Sequence, residues 1–195
     1  MTRPAALQQF LDAAAAAVSN AATPGSPADQ AAGRVFSRAR SSLGSAGAAK
    51  AERLPVCRHL DAAFEGTKGK TVSAVAAALQ QIEPAFRWTR RSTADPHDAV
   101  FWTGHANAVI LGPGGIEERS DLWIGASLMA PHVTYVDHDH PPEEVYLALT
   151  PGEWWNADMD WTDPGEGGLI YNRPGIRHAM RSGATPFLAL WFLPI

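Results

Sequence analysis

The chain has one cysteine, Cys57, among 195 residues. A single thiol excludes an internal disulfide and a cluster of thiolate ligands, and it is what a reducing compartment leads one to expect. Nowhere do 18 apolar residues follow one another without interruption, so no segment is long enough for a membrane-crossing helix. Near the N-terminus, Gln8, Gln9 and Asp12 break up the stretch that would have to form a signal-peptide core. The expected location is the cytoplasm. Charged residues are sparse at 18%, with a net charge of −4. No basic stripe with interleaved aromatics offsets that balance, so nucleic acid is not an expected partner. A phosphate-binding loop is also missing: Gly69-Lys70-Thr71 looks like the end of one, but the glycine required five positions earlier is Phe64, and the segment follows a helical pattern instead of a strand.

Apolar residues make up 46% of the chain, enough for one domain with a full core, or one core with a helical extension. The texture changes once, near residue 95. Before it, Ala-rich segments at about 5–20, 28–43, 50–64 and 71–84 carry apolar residues at three- and four-residue intervals and read as helices. They are separated by Thr23-Pro-Gly-Ser-Pro27, Gly44-Ser-Ala-Gly47 and Gly66-Thr-Lys-Gly69. After residue 95, short runs of β-branched and aromatic residues alternate with turn signals at Gly112-Pro-Gly-Gly115, Pro151-Gly152, Pro164-Gly165 and Pro174-Gly175. That rhythm indicates an antiparallel sandwich or barrel. The expected organisation is a helical region, 1–95, packed on the barrel or forming a dimer surface, followed by a barrel, 96–195. Either a monomer or a homodimer fits.

The chemistry concentrates in His138-Asp-His140-Pro-Pro-Glu-Glu144-Val-Tyr146, with His178 in a later Pro174-Gly-Ile-Arg-His turn. Alternate residues of an extended chain share a face, so His138 pairs with His140 and Glu144 with Tyr146. Pro141 and Pro142 turn the chain between them, which suggests one hairpin presenting four donors, with His178 arriving from another strand. Imidazole nitrogens and carboxylate oxygens suit one divalent transition ion, and Fe(II), Zn(II) and Mn(II) all accept such a set.

His138-x-His140-x3-Glu144 followed by Gly152, and Gly168 through Pro174-Gly175 to His178, resemble the two cupin motifs. The first has seven residues between Glu and Gly where six are usual; the second reads Pro-Gly instead of Pro-x-Gly, and Ser182 stands where an Asn is usual. A narrower likeness is carried by Tyr135-Val-Asp-His138-Asp-His140-Pro-Pro-Glu-Glu144-Val-Tyr146-Leu, then Pro-Gly-Glu-Trp-Trp, then Pro-Gly-Ile-Arg-His178. This part is similar to the cupin-type dimethylsulfoniopropionate lyases of the DddQ type, well over the last 100 residues and only in general character over the first 95.

The resemblance implies a mostly β cupin jelly-roll barrel with an α-helical N-terminal extension. It also implies a small zwitterionic substrate cleaved to dimethyl sulfide and acrylate, one divalent metal (zinc, iron or manganese) and no organic cofactor. Position by position it makes His140, Glu144 and His178 the metal ligands and Tyr146 a further ligand or the general base. Tyr135 and His138 then line the substrate pocket, as reserve candidates for proton transfer. A sulfonium also calls for an aromatic wall. Of the seven tryptophans, Trp191, alternating with apolar neighbours on a late strand, is the one expected there. Arg173 and Arg177 flank the second motif and are candidates for a carboxylate or for plain solvation. The same ligands would serve an Fe(II) oxygenase or a non-catalytic cupin that binds a small acid.

Overall fold

The computed structural model describes residues 2–195. Its first half holds helices α1 (Ala5–Ala21), α2 (Pro27–Ser41), α3 (Leu60–Glu65) and α4 (Lys70–Ile82). Burial follows the helical period: in α1, Leu7, Phe10, Leu11, Ala14, Ala17 and Val18 are the buried residues. The Ser26 hydroxyl caps α2 by accepting from the Asp29 N–H at 3.2 Å, ahead of Pro27 in the first turn. The helix expected over 50–64 forms only in its second part. Leu54 is extended before Pro55, a 3-10 turn covers Pro55–His59, and α3 starts after it. The ring of Pro55 keeps the preceding residue out of the helical region.

The strands are β1 (Ser45–Ala46), β2 (Trp88–Thr89), β3 (His105–Leu111), β4 (Glu117–Glu118), β5 (Leu122–Met129), β6 (Thr134–His138), β7 (Glu144–Ala148), β8 (Glu153–Asn156), β9 (Met159–Thr162), β10 (Leu169–Asn172), β11 (His178–Arg181) and β12 (Phe187–Pro194). They form an eight-stranded sheet in the order β1-β4-β3-β5-β12-β7-β10, with β2 on β3, and a four-stranded sheet β6-β11-β8-β9. The expected barrel is present, with helices on its outside, and the architecture is cupin-like.

Two short strands, β1 and β2, come from the half that reads as helical. A helix, α5 (Ala99–Gly104), lies in the half that reads as strand, capped by Asp98, whose carboxylate accepts from the Phe101 N–H at 3.0 Å.

The large sheet is buried on both faces, and the residues sort by parity. From β12, Leu188, Leu190 and Phe192 join the core under the helices, where Phe36 of α2 meets Phe192 at 5.2 Å between ring centres. Their neighbours Phe187, Ala189, Trp191 and Leu193 belong to the second cluster, inside the barrel. β7 divides in the same way, Val145 and Leu147 outward, Tyr146 and Ala148 inward.

Candidate metal centre and substrate pocket

The donors do not come from one hairpin. β6 lies in the small sheet beside β11, whereas β7 lies in the large sheet between β12 and β10. Pro141 and Pro142 have no N–H to give a ladder, so the link that holds them crosses from one sheet to the other instead of closing a two-stranded turn. His138 therefore reaches the site from one wall and Glu144 and Tyr146 from the opposite one, with His140 on the crossing.

Two local devices aim the side chains. On β6, Tyr135 faces Met180 and His138 faces His178, so three residues of β6 span two of β11. Strict alternation would put positions 135 and 138 on opposite faces; the extra residue of this bulge brings both inward, with ring centres 5.0 Å apart. On the other side, Gly175 takes φ +67°, open to a residue without a Cβ, and its N–H donates to the His140 carbonyl at 3.0 Å. That bond fastens the Pro-Gly turn before His178 to the crossing that carries His140.

One nitrogen from each of His138, His140 and His178 lies within 4.8 Å of the other two. Each ring spends its other nitrogen in the same way. Nδ1 donates to a backbone carbonyl two residues away: His138 to Val136 at 3.0 Å, His140 to Pro142 at 2.9 Å and His178 to Ile176 at 2.9 Å. A carbonyl only accepts, so the proton of each neutral ring is on Nδ1 and the Nε2 lone pair is left over.

The Glu144 Oε2 sits 3.3 Å from Nε2 of both His140 and His178. Asn172 donates to this carboxylate at 3.4 Å and is held by Asn156 at 3.0 Å. His178 Nε2 is buried without a hydrogen-bond partner among the described residues, its approach to Glu144 lacking hydrogen-bond geometry. Lone pairs facing a buried carboxylate require positive charge between them, from protons or from a cation, and the donor set suits a divalent ion.

The titration pattern agrees. Burial and the neighbouring His178 push His138 down to about 3. Burial alone would raise the Glu144 carboxyl, but His140 and His178 outweigh it and hold the group well below the usual range. His140 moves up, because Glu144 prevails over burial. Tyr146 is pushed far above the phenol range by burial and by the charge of Glu144. Tyr135 is also raised by burial, against the opposing pull of Asn107 and Arg91. A dication at the histidines would reverse the balance for a phenol beside it.

Beside these groups is a cavity of about 220 Å³, lined by Tyr135, His138, His140, Glu144, Tyr146 and Trp191 among others. Together with His178, which stands 4.1 Å from His138 between ring centres, the expected site residues converge on one place. Trp191 is opposite Tyr146 in register on one side and Gly125 on the other. Its ring lies where a Gly125 side chain would be, since a Cβ there would be 2.1 Å from Cζ2. Arg173 and Arg177 turn outward and pair with Asp158 and Asp137; neither lines the cavity.

The lining also includes Arg91, Asn107 and Ser127, which sequence reading passed over. Ser127 Oγ donates to Asn107 Oδ1 at 2.8 Å, and Asn107 Nδ2 donates to Tyr135 Oη at 2.8 Å. For Asn107 and Ser127 the signal is inward parity on β3 and β5, clear once the sheet is known; Arg91 follows β2 and has no such periodic signal.

Fold and site define a cupin-type barrel with a triple-histidine centre able to hold a metal ion. The family model of the dimethylsulfoniopropionate lyases matches residues 28–189. The chain belongs to that family. A putative dimethylsulfoniopropionate lyase DddL of Cereibacter sphaeroides is 32% identical over 130 residues, which is 66% of this chain and 54% of that protein, so the chain spans about half the length of the curated relative it matches. The DMSP lyase DddQ of Ruegeria pomeroyi DSS-3 superposes with a TM-score of 0.78 at 20% identity, over 99% of this chain and 93% of that one. A chain from the structures of the DMSP lyases RdDddP and RnDddQII gives 0.72 at 20% identity, over 98% and 93%. Among the described residues no helix is long and apolar enough to cross a membrane.

Proposed function

We propose that the protein cleaves dimethylsulfoniopropionate to dimethyl sulfide and acrylate by base-catalysed β-elimination. The observation that carries this reading is the convergence of three Nε2 lone pairs and a buried carboxylate beside Tyr146 and Tyr135, in a cavity walled by Trp191. His140, Glu144 and His178 would hold a divalent cation, with Tyr146 as a further ligand or as the base. His138 reaches the same point, which supports a second set made of the three imidazoles. When bound, such an ion supplies Lewis acidity, accepting the substrate carboxylate and stabilising the charge that develops at the α carbon.

The protein's own groups do the rest. The Tyr146 phenolate takes the α proton, the C–H electron pair becomes the double bond, and the β carbon–sulfur pair leaves on sulfur as neutral dimethyl sulfide. No electrons are gained or lost, so we assign no oxidant and no organic cofactor. Trp191 offers its ring face to the sulfonium, an attraction of roughly 0.5 to 2 kcal/mol depending on desolvation. A specific contact favours Tyr135 as an alternative base: the Asn107 N–H on its oxygen stabilises the ionised form.

The test is headspace gas chromatography on purified protein of verified metal content. Dimethyl sulfide and acrylate in equal amounts are expected, with release lost on chelation and restored by the ion. No dimethyl sulfide from metal-loaded protein defeats the substrate assignment. Substrate-dependent oxygen uptake would mark an oxygenase instead, and saturable binding without turnover a binding protein.

A further inference from the structure

Arg91 is the one guanidinium lining this cavity, and it comes from the half of the chain that supplies most of the helices. The backbone carries it there in steps. Trp88 and Thr89 pair with Ala108 and Asn107 of β3. Arg90 then lies over the Trp102 ring at 4.6 Å and donates to the Trp102 carbonyl at 2.6 Å. The Arg91 N–H donates to His105 Nε2 at 3.0 Å. His105 is buried, stacked on Phe101 with ring centres 3.7 Å apart, and its Nδ1 is bonded to the Phe101 carbonyl. An imidazole so committed on both nitrogens is a fixed acceptor for one backbone N–H, and it sets where the residue stands.

The guanidinium itself is only partly engaged by the fold, at the Thr93 hydroxyl and beside the Tyr135 phenol. Nε donates to Thr93 Oγ1, and no carboxylate lies within ion-pair distance of Arg91 among the described residues, although eight other arginines hold one. An arginine at a cavity without an acid offers a planar fork matched to a carboxylate. Its positive charge acts on Tyr135 and His138, the residues that would border a bound ligand. Along the strands, His105 faces Met129 at one end of β5, while Gly125 with Trp191 and Trp123 with Leu193 follow toward the other. The tie to Arg91 and the aromatic wall thus stand apart along the same strands, an arrangement that orients a molecule with an anion at one end and a cation at the other.

We propose that Arg91 receives the carboxylate of the substrate, sharing it with the bound cation, and so selects acids over neutral or purely cationic sulfonium compounds. This rests on the lyase reading for the substrate, but the contact has its own readout. Propionate and trimethylsulfonium carry the two ends of the substrate separately, and each can be titrated calorimetrically into metal-loaded protein.

Arg91→Met should weaken propionate binding and raise KM by about 10- to 100-fold, the range for a lost charge-assisted pair. Trimethylsulfonium affinity should stay within about twofold, inside the spread expected of a group that does not touch it. Arg91→Lys should recover part of the loss, keeping the charge without the fork. Unchanged propionate affinity in Arg91→Met overturns the proposal, as does equal loss of both probes, or a wild type that does not bind propionate. A change confined to kcat and its pH profile also overturns it, assigning Arg91 to the acidity of Tyr135 instead. If the wild type binds propionate through Arg91 but releases no dimethyl sulfide, the lyase reading fails and the carboxylate contact stands.

Discussion

The two faces of the large sheet are made from alternate residues of the same strands and do opposite things. Toward the helices, Leu188, Leu190, Phe192, Val145, Leu147, Ile124 and Ala126 are fully buried and carry no polar side-chain atom. Toward the barrel, the same strands present Glu144, Tyr146, Ser127 and Trp191. The first face stabilises the fold by removing apolar surface from water. On the second, Glu144, Tyr146 and Ser127 oppose folding, because a buried carboxylate and buried hydroxyls must be desolvated and then satisfied in fixed geometry, while Phe187, Ala189 and Leu193 beside them offset that cost by apolar burial. Stability and chemistry are thus separated by the parity of a strand position, within a few ångströms.

The sharpest break in that contrast is expected at Tyr146. Tyr146→Phe should lower the rate of dimethyl sulfide release by about 10³-fold, or about 4 kcal/mol of barrier, if its oxygen is the base. The thermal midpoint should not fall, since only a hydroxyl facing Glu144 is removed. Should Tyr135→Phe show the larger drop, the base assignment passes to Tyr135. One position along the neighbouring strand, Leu190→Ala should do the reverse: a loss of about 3 kcal/mol in urea unfolding from the cavity it leaves, with turnover per folded molecule little changed. Similar losses of activity from both variants would refute the separation of faces.

Gly125→Ala is expected to act more weakly on turnover, through binding, and to cost some stability as well, because the added Cβ would also stand 2.4 Å from the Ala108 carbonyl oxygen of β3. The added Cβ has to displace the Trp191 ring, and KM should rise about tenfold, within the range of a lost cation–aromatic contact. Smallest at neutral pH, and growing only on the acid side, is the effect of the histidines in metal-free protein. His138 has a folded value of about 3, below the unfolded value of about 6.5. As pH falls from about 6.5 toward 3, the unfolded chain therefore binds a proton that the folded one refuses, and stability is lost over that window. His140 is shifted upward, so it stabilises at low pH and loses that contribution as pH rises through its folded value. His138→Gln should relieve the acid-side loss by an amount that grows as pH falls toward 3, read from denaturation midpoints across the window.

Much of the site was legible in the sequence because its donors crowd into one short segment and a single later turn. His138, His140, Glu144, Tyr146 and His178 declare themselves by residue type and order, and Trp191 by alternation. The helices were legible from their period, apart from the onset of the third, where Pro55 intervened. Strand pairing was not. The Pro141-Pro142 link looks locally like a turn, and only the sheet order shows it crossing between layers. Arg91, Asn107 and Ser127 are isolated polar residues whose meaning depends on which strand lies next to which. The same holds for β1 and β2, too short to show a period.

The extra residue on β6 has a consequence for descent with modification. Removing one residue at Val136 or Asp137 would leave a perfectly ladderable strand, yet it would swing either a phenol or an imidazole outward to solvent. Length variation at that single spot is thus a way for evolution to silence or revive the centre without touching any of the groups that compose it.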